Sequence, residues 1–287
     1  MPASETLKRL DFRYNDTPRA QTRDGIEIYY ESRGEGPALT ILNNFFMVSP
    51  AWRIFTEELA RRNRVVTYDL CNQGASTRVD DEPSWDDHIA DALGVLDACG
   101  IEQTFLLGTS ISAVLARDIA IAYPDRVLGL ILVGPAIGPR GMRRHRRVMK
   151  SWLATLDGLG QKALYDHIYP LVFGSEMIET TGTPGYLGLR ESFLTLHSTE
   201  EIRSSLAMSL APNPNPVVMS DISAPTLVLC GDDDFLISPT SARDLAASVP
   251  DGRVEIMPHA SHLPFIDDVA GFESAIQKFI DEVSERS

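Results

Sequence analysis

Cysteine is scarce in this chain: Cys71, Cys99 and Cys230 are the only three among 287 residues. Three thiols cannot form a disulfide framework, and their contexts read as loop, helix and buried strand, so reduced thiols are expected. Cys-x-x-Cys and His-x-x-x-His pairs are missing, and no metal site is expected. No apolar run approaches the roughly 18 residues of a membrane-spanning helix. The start, Met1 to Arg9, lacks the apolar core of a secretory signal, which makes a cytoplasmic protein the expectation. Basic residues are outnumbered, 26 against 40 acidic, and the net charge of −14 argues against a nucleic-acid partner. Internal repeats are absent too.

What remains is an ordinary globular composition, 44% hydrophobic and 23% charged. A chain of this length buries about three quarters of its surface, as one large domain or a domain with an insertion. Beyond a polar N-terminal tail, residues 25–31 alternate as a half-exposed strand, and Gly34-Glu35-Gly36-Pro37 turns the chain. Buried strands are predicted at 38–42, 64–68, 104–107, 127–133 and 226–230, with a short one at 254–256. Helices are predicted at 52–61, 85–99 and 112–123. Strands alternating with helices imply an α/β fold, a doubly wound, mostly parallel sheet.

Within that alternation, Gly108-Thr109-Ser110-Ile111-Ser112 lies where a buried strand turns into a helix. A serine on so sharp a turn is presented as a nucleophile, provided the residue two positions earlier is small; Gly108 meets that need. Ser112 stands where a second glycine is usual. An acid and then a histidine should follow the serine in sequence. Gly231-Asp232-Asp233-Asp234 follows the strand at 226–230, and the loop 259–262 offers His259 and His262. The N–H of Ile111, at the start of the helix, is a candidate oxyanion donor.

Strand, elbow, Gly-x-x-Asp and late histidine together resemble the α/β-hydrolase superfamily over residues 24–284. The resemblance implies Ser110 as nucleophile, Asp234 as the acid, three residues after its glycine, and His262 as the base. It implies a second oxyanion donor from the loop after the third strand, by position the N–H of Phe45. Relatives carry His-Gly in that loop, and this chain carries Asn43-Asn44. Either asparagine offers a side-chain amide to substrate or holds the loop through local hydrogen bonds. Hydrolases of polyketide and fatty-acyl pathways show a similar asparagine-bearing loop. The loop Asp69 to Ser76 also resembles the family's, with Asn72 and Gln73 in place of Gly and His; a structural role fits it, unless Gln73 or Cys71 faces the substrate. A dehalogenase or epoxide hydrolase of this fold would carry aspartate at the elbow, against Ser110.

By the same resemblance, residues 137–220 are expected as a helical cap and residues 1–136 and 221–287 as the hydrolase core, with irregular surface helices as the plainer alternative. Breaks are expected at Gly174, at 182–185 and at the Pro-Asn repeat 212–216. Trp152 and Phe173 are among the apolar cap residues expected to line a cavity for an apolar acyl group. Six basic residues between Arg140 and Lys150, with no acid among them, read as a solvated helix face or as a patch for coenzyme A, phosphopantetheine or an acyl carrier protein. The implied activity is cofactor-free cleavage of a small-molecule ester or thioester through an acyl-enzyme. Acyl transfer or cyclisation by the same intermediate, and a non-catalytic binding protein, are the alternatives.

Overall fold

The apolar runs become the centre of an eight-stranded sheet. The computed structural model describes residues 7–44, 47–138, 141–211 and 217–286. Its strands are β1 (Arg19–Arg23), β2 (Ile26–Arg33), β3 (Ala38–Leu42), β4 (Arg64–Tyr68), β5 (Thr104–Thr109), β6 (Val127–Val133), β7 (Thr226–Gly231) and β8 (Gly252–Met257). They lie in the order β1-β2-β4-β3-β5-β6-β7-β8. The first two pairings, β1 with β2 and β2 with β4, are antiparallel, and the rest are parallel. Every residue of β5 and β7 is buried, as expected of parallel strands covered on both faces. The order reverses around β3 and β5, so the carboxyl ends of these strands open a crevice suited to a site.

The helices are α1 (Trp52–Phe55), α2 (Trp85–Ala98), α3 (Ser112–Ala122), α4 (Arg143–Val172), α5 (Ser175–Leu196), α6 (Thr199–Met208), α7 (Pro239–Ala246), α8 (Pro264–Asp267) and α9 (Val269–Ser284). Ser84 begins α2 with a reciprocal capping box to Asp87. Helices α2 and α3 pack together, α3 against β5 and β6, and α9 against β6 and β8. Phe279 of α9 reaches under the sheet to meet Phe105 of β5 edge to face at 6.2 Å. The three helices α4–α6 form an insertion between β6 and β7, in which non-helical backbone at Gly160 kinks α4 and at Gly182 kinks α5. Residues 212–216, the expected Pro-Asn break, lie outside the described residues. Among the described residues no helix is long and apolar enough to cross a membrane.

Two departures from the sequence reading have local causes. β1 falls in the polar tail, where no strand was expected; its sequence, Arg-Ala-Gln-Thr-Arg, is a polar edge that pairs on one side only. The helix expected over 52–61 is split into one α-turn, Trp52–Phe55, and a 3-10 turn, Leu59–Arg61. The Thr56 hydroxyl donates back to the Trp52 carbonyl at 2.7 Å, and the Glu273 carboxylate takes the N–H groups of Glu58 and Leu59, so those amides are satisfied without the α-helix continuing through them.

The loops after β3 and β4 are fixed to each other around a buried carboxylate. Asp69 accepts the N–H of Ser49 at 2.7 Å, the N–H of Ala75 at 3.0 Å and the Asn43 amide at 3.2 Å, and it is hydrogen-bonded by the Tyr14 hydroxyl. Burial pushes its carboxyl up to about 6, against the pull of these donors. Asn43 also accepts the Trp52 indole N–H at 2.5 Å. The Asn44 amide donates to Thr109 at 2.6 Å, and its carbonyl accepts Gln73 at 2.8 Å. Both asparagines are therefore committed to holding the loop.

Phe279, 1% exposed, is expected to lose about 3–5 kcal/mol of unfolding free energy as Phe279→Ala in urea titrations, whereas Leu159→Ala, at a residue 76% exposed, should stay within about 0.5 kcal/mol. Asp69→Ala strands several buried donors and should cost about 2–5 kcal/mol; a loss below about 1 kcal/mol would mean the network adds little. Because the folded Asp69 carboxyl binds its proton more tightly than the ordinary 3.8, its contribution to stability declines as pH rises from about 4 to about 6. Unfolding followed across that window should show this slope in the wild type and not in Asp69→Asn.

Candidate active site

At the carboxyl end of β5 the chain must reverse into α3 within two residues. Ser110 takes φ +53°, the left-handed region that costs a side-chain-bearing residue energy. Two backbone bonds hold it there: the Ser110 N–H donates to Val133 at 2.8 Å, and the Ser110 carbonyl accepts the Ala136 N–H at 3.0 Å. A Cβ at Gly108 would stand 2.3 Å from the Ser112 carbonyl oxygen, so only glycine fits. Ser112 does more than fit. Its hydroxyl accepts the Thr109 N–H at 2.9 Å and lies 2.9 Å from the Leu42 carbonyl and 2.8 Å from that of Thr109, stitching the elbow to the end of β3.

Two further loops bring an imidazole and a carboxylate to the same place. The Ser110 hydroxyl lies 3.0 Å from His262 Nε2, and His262 Nδ1 lies 2.9 Å from Asp234 Oδ2. The other Asp234 oxygen accepts the N–H groups of Leu236 and Ile237, both at 2.8 Å, which fixes the carboxylate's orientation. Gly231 permits the convergence, because a Cβ there would stand 2.0 Å from the Ala260 carbonyl of the histidine loop. Of the neighbouring candidates, Asp232 and His259 are exposed, and Asp233 accepts the Ser175 N–H at 2.9 Å. Asp234 and His262 are both buried. A hydroxyl, an imidazole and a carboxylate in series can move a proton off the hydroxyl as it attacks a carbonyl and steady the imidazolium that forms.

The candidate oxyanion donor Ile111 is buried at the N-terminus of α3, immediately after Ser110. Phe45 lies outside the described residues. Ser110 and His262 open into a cavity of about 420 Å³ whose lining includes Ile137, Val148, Met149, Leu236 and Ile237, and also the polar Arg144, His145, Thr240, Ser241 and Asp244. Asn43, Asn44 and Trp152, candidates for contact with substrate, are not among its lining residues: the asparagines, for which holding the loop was the alternative, are bound to Asp69 and Thr109, and Trp152 is buried elsewhere. Phe173 lines a second, apolar cavity of about 80 Å³, beside Met47, Phe55 and Leu263. Gln73 and Cys71 are likewise buried and absent from the lining of the first cavity.

The sequence reading missed His145 and the α7 residues. The first turn of α7 follows the Asp234 loop directly, which is the signal that would have placed Thr240 and Ser241 near the site. His145 sits in the arginine run, where charge masked it. Contacts from the insertion also reach the loops of Asp234 and His262. The Ser261 hydroxyl donates to the Val172 carbonyl at 3.0 Å, and Ser175 is held by Asp233, so the joint between α4 and α5 is fastened beside His262 and Asp234. On the far flank, Glu201 of α6 accepts the Gly74 N–H at 3.0 Å and Arg78 at 2.8 Å.

Comparison with known proteins agrees with this architecture. Over 269 residues the chain is 25% identical to a pimeloyl-[acyl-carrier protein] methyl ester esterase of Aliivibrio salmonicida, covering 88% of this chain and 95% of that one. It is 26% identical over 262 residues to a 2-hydroxymuconate semialdehyde hydrolase of Pseudomonas sp. (strain CF600), covering 87% and 85%. Among solved structures, an esterase from Thermogutta terrifontis superposes with a TM-score of 0.81 at 22% identity, over 94% of this chain and 99% of that one. The enol-lactonase from Burkholderia xenovorans LB400 gives 0.79 at 22% identity, over 92% and 100%. Residues 44–275 match the alpha/beta hydrolase family, and the chain belongs to it.

Proposed function

We propose that the chain is a serine hydrolase that cleaves an ester or thioester through an acyl-enzyme, with Ser110 as nucleophile, His262 as general base and Asp234 as the acid that orients it. The observation that carries this reading is the continuous run of contacts from the Ser110 hydroxyl through His262 to Asp234, at 3.0 and 2.9 Å. His262 takes the proton as Ser110 attacks the acyl carbon, then returns it to the leaving alcohol or thiol. Water then attacks the acyl-enzyme by the reverse path. The Ile111 N–H, aided by the α3 dipole, stabilises the oxyanion, and the N–H of Phe45 is the partner proposed for it. An alcohol in place of water would turn the same intermediate to acyl transfer or cyclisation, a difference that product analysis with added alcohol reads directly.

A second reading concerns delivery of the acyl group. Arg143, Arg144, Arg147 and Lys150 are exposed at the start of α4, with no ion pair among the described residues, and Arg144 lines the cavity itself. Arg146 is turned inward to the Leu210 carbonyl, and Arg140 lies outside the described residues. A positive edge at the mouth of an acyl cavity, on a chain of net charge −14, suits an acidic carrier protein or the phosphates of coenzyme A. The carrier-protein ester named for the Aliivibrio salmonicida relative supports the same idea.

Ser110→Ala and His262→Ala should each reduce hydrolysis of a p-nitrophenyl ester by about 10³-fold or more with the thermal unfolding midpoint preserved. A fluorophosphonate probe should label the wild type and not Ser110→Ala; wild type that resists labelling would defeat the hydrolase reading in favour of a binding protein. Replacing Arg143, Arg144, Arg147 and Lys150 together by glutamine should raise KM for a carrier-bound acyl group about 10-fold or more in low salt, and shift a free ester of the same acyl group far less. Equal shifts for both would remove the carrier reading.

A further inference from the structure

Three successive residues of the loop that carries His262 are each held by an aspartate. The Ala260 carbonyl accepts the Asp233 N–H at 2.9 Å, His262 Nδ1 meets Asp234, and between them Ser261 is bound by Asp267, the last residue of α8. Asp267 Oδ2 accepts the Ser261 N–H at 2.7 Å and lies 2.5 Å from the Ser261 hydroxyl. That hydroxyl oxygen in turn takes the Leu263 N–H at 3.4 Å, so a local turn closes across His262. Its single proton lies between two acceptors, Asp267 and, at 3.0 Å, the Val172 carbonyl of the insertion. The joint of the insertion is seated on the same pair: a Cβ at Gly174 would stand 3.2 Å from Ser261 Cβ and 3.6 Å from Asp267 Oδ1. Burial pushes the Asp267 carboxyl up, the two Ser261 donors pull it down, and nearby Asp233 and Glu176 push it up again. An acid is thus kept at a place that disfavours its charge, and α9 does not require it, because Asp268 caps that helix through the Gly271 N–H.

We propose that Asp267 is a positioning residue for His262: it fixes Ser261, and through Ser261 the backbone on both sides of the general base, while the shared Ser261 hydroxyl ties that backbone to the insertion at Val172. The Asp234 contact alone orients the imidazole only from its Nδ1 side. Where the Cα of His262 stands decides whether Nε2 comes within 3.0 Å of the Ser110 hydroxyl at the same time, and the residues before and after His262 set that point. Proton transfer needs hydrogen-bond reach, and a misplacement of about 1 Å can cost about 10²-fold in rate. The proposal rests on His262 being the base of the hydrolase reading. It adds to that reading a residue that touches neither the substrate nor the reacting atoms.

Asp267→Ala should lower kcat for p-nitrophenyl butyrate about 10- to 100-fold, with KM within about 3-fold. Asp267→Asn keeps a carbonyl oxygen for both Ser261 donors and should hold kcat within about 5-fold of wild type. Ser261→Ala, which removes the hydroxyl and leaves the N–H bond, should fall between. The two losses should not add in Ser261→Ala/Asp267→Ala, since one acts through the other. The proton between His262 Nδ1 and Asp234, followed as a downfield NMR resonance that His262→Ala abolishes, should shift or broaden in Asp267→Ala and stay in Asp267→Asn. A merely structural role would lower the unfolding free energy and leave both kcat and this resonance in place, and that result overturns the proposal. Should Asp267→Ala not fold, wild-type kcat and an unmoved resonance in Ser261→Ala overturn it equally. Failure of fluorophosphonate labelling with the resonance still dependent on Asp267 would instead overturn the hydrolase reading alone.

Discussion

The site depends on one strained residue. Ser110 sits at φ +53° because Val133 and Ala136 grip its backbone from the neighbouring strand and loop, and because Gly108 leaves room for the Ser112 carbonyl to pass. Strain of this kind survives only where the surroundings over-determine it. Here those surroundings are the buried ends of β3, β5 and β6. Ser112 joins them by bonding its hydroxyl to the β3 carbonyl of Leu42, so the elbow is tied to the loop that leads to residue 45.

That loop is rigid for a different reason. The asparagine pair gains no freedom to meet a ligand; it is consumed by Asp69, Trp52 and Thr109. A buried carboxylate ringed by donors does here what a tight turn does elsewhere: it sets where backbone N–H groups point. The Asn43-Asn44 departure from the His-Gly pattern thus reads as a different way of building the same support.

Much of this was legible in the sequence, and the illegible parts share a cause. Buried parallel strands advertise themselves as apolar runs, which is why the core strands, the elbow at Ser110 and the α/β alternation could be read directly. β1 could not, because a polar edge strand leaves no hydrophobic trace. The choice among Asp232, Asp233 and Asp234, or between His259 and His262, depends on which side chain the loop turns inward. Local periodicity does not carry that information; the family resemblance did. The apolar residues of the insertion misled in the opposite sense, since Trp152 is buried away from the cavity while Val148 and Met149, one turn earlier, line it. A helix pattern reports that a face is buried and is silent on what it is buried against.

The tethers of the insertion are unequal. At the α4–α5 joint they are hydrogen bonds to the loops of Asp234 and His262, that of Ser261 to Val172 buried, whereas at α6 the contact is largely an ion pair whose Arg78 partner is 53% exposed. Dissolved ions weaken the exposed ion pair and scarcely touch the buried Ser261–Val172 bond. Raising ionic strength should therefore let the α6 flank swing while the other flank stays as a pivot. Asp234 and His262 would keep their alignment throughout, because the buried tether lies beside them.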